Sequence, residues 1–173
     1  MAFIKELNKK YTEMWNKEKD LTRLKTLKLL FLTVWAYKIK DKSILNVFNR
    51  FEAWKYGPVE VDVYNELRNF KNTETVWWKN IDKIIKGVEV NDIDHNVNKK
   101  MKLALNSLIE KNPNIINYSS SELVDVVHKW DAWSIPYGFW KKRPIPKELL
   151  LVDKGCFFLM LFVFFYETKV ENL

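Results

Sequence analysis

The sequence predicts a mainly α, single-domain bundle of about five or six helices. Apolar residues recur at spacings of three and four along most of the chain, the period of a helix with one face buried. Of its 173 residues 47% are hydrophobic and eight are Trp, which is enough to build one core. With four Gly and five Pro there is no low-complexity linker to separate two domains. A short β element around residues 44–56 and 76–90 is the expected departure from all-helical structure.

The elements follow in order. Over residues 2–18, Phe3, Leu7, Tyr11, Met14 and Trp15 fall on one face of an amphipathic helix. Asp20 is placed to cap a second helix over 21–39, whose inner face carries Leu24, Leu27, Phe31, Val34 and Trp35. Leu29, Leu30, Leu32 and Ala36 make this helix apolar on nearly every side, the mark of a central core helix. Lys38, Lys40 and Lys42 are expected to return it to solvent. Ser43–Tyr56 is less periodic and suits a short strand or irregular packing. Gly57-Pro58 is a break, with Pro58 suited to the first turn of a helix that runs on through Val61, Tyr64 and Leu67 to about Phe70.

Residues 71–96 are polar, and Val76, Trp77, Trp78 and the stretch 81–90 hold any second β element. Val97, Met101, Leu105, Leu108 and Ile109 then mark a helix stopped by Pro113. Ser119 and Glu122 have capping-box spacing, with Leu123, Val126, Val127 and Trp130 as the apolar stripe behind them. Pro136, Pro144 and Pro146 are expected to break the following segment. The run from Cys156 to Tyr166 is wholly apolar, but Asp153, Lys154, Glu167 and Lys169 bound it. A helix crossing a bilayer needs roughly 17–25 such residues, so a core or partner-facing segment is expected and no transmembrane span.

Composition narrows function. The net charge of +7 invites nucleic acid, but of 29 basic residues only Arg23, Arg50, Arg68 and Arg143 are Arg, leaving 25 Lys. Base and bidentate phosphate recognition favour the planar Arg fork, so a solvated Lys surface is the better reading. The lone Cys156 excludes an internal disulfide and fits a reducing cytoplasm. The N-terminal turns carry Lys5, Glu6, Lys9 and Lys10 and no apolar h-region, so no signal peptide is expected.

No glycine pattern forms a phosphate loop and no serine sits in a nucleophile elbow. Asp92, Asp94 and Asn96 match the start of a calcium loop, but Val97 stands where Gly is needed and Leu103 where the closing Glu belongs. With His95, His128 and one Cys, a structural zinc site has too few ligands. His128 lies one turn from Asp125, and a core or capping histidine is the commoner outcome of such a pair. No cofactor, metal site or enzymatic activity is expected.

Three ordered segments resemble the Panacea (SocA-like) antitoxin domain. They are Leu24–Leu32, Phe51-Glu52-Ala53-Trp54-Lys55-Tyr56-Gly57-Pro58-Val59 followed by Val63-Tyr64, and Glu122–Trp130 with Trp133 beyond. The resemblance covers about 21–150. It divides the chain into an N-terminal helical extension (1–20), a Panacea-like domain (21–153) and an apolar C-terminal segment (154–173) packed on the domain or in an interface.

The resemblance implies an antitoxin that binds a cognate protein toxin encoded by a neighbouring gene, in a system some relatives link to phage defence. A proteolytic adaptor that presents the toxin to a protease is an alternative role, as is a basic nucleic-acid-binding regulator. A homo-oligomer is compatible with either. Trp54, Tyr56, Gly57, Pro58, Val59, Tyr64, His128 and Trp130 are the motif residues, expected to be structural, with Trp54 and Tyr56 in the core. Trp77, Trp78, Trp133, Phe157 and Phe158 are the candidates for toxin contact, because exposed aromatic anchors dominate interface energetics.

Overall fold

A computed structural model describes residues 2–14, 21–38, 40–69, 95–139 and 142–152. The chain runs α1 (Ala2–Met14), α2 (Arg23–Lys38), α3 (Ile44–Val47), β1 (Phe51–Trp54), β2 (Gly57–Glu60), α4 (Val61–Asn69) and α5 (His95–Lys111). A 3-10 turn (Ile115–Asn117), α6 (Ser120–His128), α7 (Asp131–Phe139), β3 (Arg143–Pro144) and α8 (Lys147–Val152) complete it. The fold is mainly α with one small three-stranded sheet. The expected β element at 76–90, Trp77, Trp78 and the segment 154–173 lie outside the described residues.

Helix α2 is the axle. Every residue from Lys25 to Lys38 is buried, and α5, α6, β2, α3 and α4 pack around it. A helix surrounded on all sides gains from apolar residues on all sides, which is what its sequence supplies. Thr22 caps its start, accepting the Lys25 N–H at 3.1 Å, and the Thr22 hydroxyl also meets that of Ser120 at 2.8 Å. The beginnings of α2 and α6 are thereby tied. Asp20, the expected cap, lies outside the described residues.

Helix α1 packs on α5 and sends Phe3, Ile4 and Leu7 into the same core as α2. At the start of α6 the capping box forms as its spacing predicts: Glu122 N–H donates to Ser119 Oγ at 3.2 Å and Ser119 N–H to Glu122 Oε2 at 2.7 Å. Two free helix-end donors are satisfied at once.

Three expectations are corrected. Gly57-Pro58 begins a strand and not a helix; α4 starts at Val61 and is capped by Glu60, whose Oε2 accepts the Val63 N–H at 2.8 Å. The short β element expected around 44–56 forms as β1, preceded by the helical turn α3. Lys38 does not return α2 to solvent: it is 4% exposed and its ammonium donates to the Leu150 carbonyl of α8. Pro136 lies inside α7 instead of ending it. Its missing N–H forfeits one helical bond, a loss offset by burial of Ala132 and Trp133 from the same helix.

Candidate partner-binding site

The motif phrase folds as a hairpin. Phe51 and Ala53 face the core while Glu52 and Trp54 are half-buried on the outer face, the alternation a strand imposes. Phe51 pairs with Glu60, Glu52 with Val59, Ala53 with Pro58 and Trp54 with Gly57. Lys55 and Tyr56 make the turn without positive φ, and Gly57 follows at φ +98°. Glycine adopts that left-handed conformation without the Cβ penalty another residue would meet, so it suits the first position after the turn. Strand β1 is central, and Glu52 and Ala53 pair on its other side with Pro144 and Arg143 of β3. Pro58 is tolerable because β2 is an edge strand.

Three contacts brace the hairpin from beneath. Lys28 of α2 is fully buried and its Nζ donates to the Pro58 carbonyl at 2.7 Å. Burial pulls the Lys28 amine down to a pKa of about 7. Val127 of α6 fills the space beside Gly57 so closely that a Cβ there would stand 2.5 Å from its Cγ2. Trp133 of α7 donates its indole N–H to the Trp54 carbonyl at 2.8 Å and stacks on His128 with ring centroids 3.8 Å apart.

His128 is held by this stack, and its Nε2 is buried with no hydrogen-bond partner. Burial chiefly, and then the nearby Lys28 charge, push its pKa down, while Asp125 and a backbone hydrogen bond with Lys55 oppose them. The imidazole is therefore held toward its neutral form, wedged between helix and hairpin. Among the described residues no group of three or more His, Cys, Asp or Glu side chains could hold a metal ion.

Outward from that base the hairpin presents an aromatic and cationic surface. Trp54 meets Tyr64 of α4 edge-on at 4.8 Å, and its indole N–H donates to Glu52 at 2.7 Å. Lys142 lies over the Trp54 ring at 4.7 Å, and Lys55 over Tyr56 at 5.3 Å. Tyr56 is 55% exposed, so the expectation that it packs in the core is corrected: it is a turn residue, and the turn projects from the sheet. Trp54 is half-buried at the core's edge.

The remaining motif residues divide the same way. Val59 is buried under the hairpin, and Trp130 is fully buried in edge-on contact with Phe31 and Trp35. Trp133, expected to face a partner, is 8% exposed and stacks on Tyr137 as well as His128. Phe157 and Phe158 lie outside the described residues. Sequence reasoning missed Lys25, Lys28 and Glu60, all buried. The signal was there for the lysines, since a helix apolar all round leaves its Lys side chains nowhere exposed to go.

A family comparison decides what this arrangement belongs to. The family model of the SocA-like antitoxins, the Panacea domain, matches residues 27–134. The chain belongs to that family. The Panacea segment runs from within α2 to within α7 and takes in Lys28, the whole hairpin, His128, Trp130 and Trp133. Helix α1 and strand β3 lie outside it, although α1 shares the core and β3 completes the sheet. Searches among curated proteins and among solved structures found no match. Among the described residues, no helix is long and apolar enough to cross a membrane.

Proposed function

We propose that this Panacea protein is a direct-binding antitoxin, acting in the cytoplasm on a protein toxin encoded by its neighbouring gene. It neutralises by occupying a surface of the toxin and not by catalysis. The observation that carries the reading is the family match over 27–134. The geometry supports it: the polar groups of the motif are spent on bracing. Lys28 is bonded to Pro58, Trp133 to Trp54, and the His128 Nε2 is shut from solvent. Such a scaffold holds its shape while surface positions choose the partner, the division of labour that specificity on a shared fold requires.

Co-expression with the neighbouring gene product tests this. That product alone should arrest growth, and this protein should restore it while the toxin's steady-state level stays unchanged. Restored growth accompanied by a falling, protease-dependent toxin level would assign the adaptor role instead. Continued arrest would end the antitoxin reading.

A further inference from the structure

The hairpin tip gathers exposed cations and aromatic rings at one end of the sheet. Strand β1 runs toward the tip and β3 away from it, so Lys142, whose N–H donates to the Ala53 carbonyl, stands at the tip end of β3. Lys55 and Tyr56 form the turn itself, and all three side chains are exposed. Each ammonium lies over a ring, Lys55 over Tyr56 and Lys142 over Trp54. A ring face attracts a cation without neutralising it. Among the described residues neither ammonium pairs with a carboxylate: the ion pairs there are made by Lys9, Lys10, Lys40, Arg50 and Lys100. Glu52, the carboxylate of β1, accepts the Trp54 indole N–H instead. Phe139, Trp140 and Lys141, which lead into Lys142, bring no acid to this end of the sequence.

We infer that this tip docks in an acidic recess of the cognate toxin, with Tyr56 entering it and Lys55 and Lys142 meeting carboxylates at its rim. The inference rests on the antitoxin reading and adds the surface and the chemistry of the contact. Charge complementarity selects the occupant, since two exposed cations without acid partners attract carboxylates and repel a basic surface. The exposed Tyr56 and half-buried Trp54 beside them supply apolar contact of the kind that anchors interfaces. Nucleic acid fits less well: a duplex site neutralises a row of phosphates, whereas this tip sets two Lys point charges on a projecting turn. Lys28, Val127 and Trp133 hold the hairpin from beneath, so little ordering remains to occur on binding. Lys142 lies outside the matched segment 27–134, so one cation of the pair can change with the partner while the motif turn stays.

Variants of the full chain test it against the purified neighbouring gene product. Lys55→Glu with Lys142→Glu reverses both tip charges, and Tyr56→Ala removes the projecting ring. Lys99→Glu with Lys102→Glu is the comparison, making the same net change at exposed positions of α5. All three are expected to keep the thermal midpoint within a few degrees of wild type, because every altered side chain is exposed. The tip reversal should weaken toxin binding at least about tenfold, chiefly by slowing association, with the wild-type salt dependence flattened and growth rescue lost. Tyr56→Ala should weaken it about tenfold by speeding dissociation. The α5 pair should stay within about threefold of wild type.

Wild-type affinity in either tip variant, or an equal loss in the α5 pair, overturns the tip assignment while leaving the antitoxin reading intact. A tip reversal that spares toxin binding but abolishes low-salt binding of random-sequence duplex DNA also overturns it, assigning the tip to nucleic acid. Absence of any wild-type toxin binding or rescue overturns both.

Discussion

At the scale of single residues, two positions under the hairpin carry the most specific consequences. Gly57 combines φ +98° with a Cβ position 2.5 Å from Val127 Cγ2. Gly57→Ala therefore incurs both backbone strain and a side-chain clash, and should cost about 3 kcal/mol in denaturant unfolding. Lys28 titrates in a window set by its burial. Its folded pKa of about 7 lies below the ordinary 10.5, so between those values the unfolded chain binds more protons and stability rises with pH. The slope from this group approaches about 1.4 kcal/mol per pH unit. Lys28→Met should flatten that rise, being more stable than wild type near pH 6. Near pH 10.5 it should be less stable by about 1 kcal/mol, the worth of the lost bond to Pro58. Urea titrations of both proteins across this range would refute the account if their slopes coincided.

Residue-level legibility was uneven for a physical reason. The Ser119–Glu122 box could be read because a cap is local: both partners lie within four positions. Gly57-Pro58 was misread because Gly-Pro serves a helix start and a strand start equally well, and only pairing of Ala53 with Pro58 decides between them. The burial of Lys28 could not be assigned a partner in advance, since the Pro58 carbonyl is 30 positions away.

Among the elements, the hairpin depends on α7 as much as on its own strands. One bond, from Trp133 Nε1 to the Trp54 carbonyl, and one stacked ring pair link them. Trp133→Phe keeps an aromatic ring but orphans that carbonyl, and should cost about 1–2 kcal/mol. The loss should be regional: hydrogen exchange at Phe51–Glu60 quickens while α1 and α5 keep their protection. Uniform quickening across all helices would show instead that the hairpin and core open together. Helices with long apolar repeats, α2 and α5 above all, were legible within two residues at each described end. The two-residue strand β3 was not, because Arg143-Pro144 has no alternation to read and exists only as a partner for Glu52 and Ala53.

For the whole molecule, the family boundary and the physical boundary differ. The Panacea match begins at residue 27, yet Phe3, Ile4 and Leu7 of α1 are at most 3% exposed within the common core. The apolar spacing in α1 marks an amphipathic face without indicating what that face covers. Treating residues 1–20 as an appendage predicts that their removal is harmless. The packing predicts the opposite, a loss of about 5 kcal/mol from three buried apolar side chains. It should appear in thermal melts as a drop of many degrees or as failure to fold.

The three lysines inside α2 give the molecule an internal clock. Lys25, Lys28 and Lys38 are at most 4% exposed, whereas Lys40 and Lys42 just beyond the helix stand in solvent. An amine-reactive mass tag should consume the outer pair at once and reach the inner three only when the core opens. Their labelling rate therefore reports the opening frequency of the central helix in an unmodified protein. A bound toxin that clamps the fold would register as a slower tick at all three.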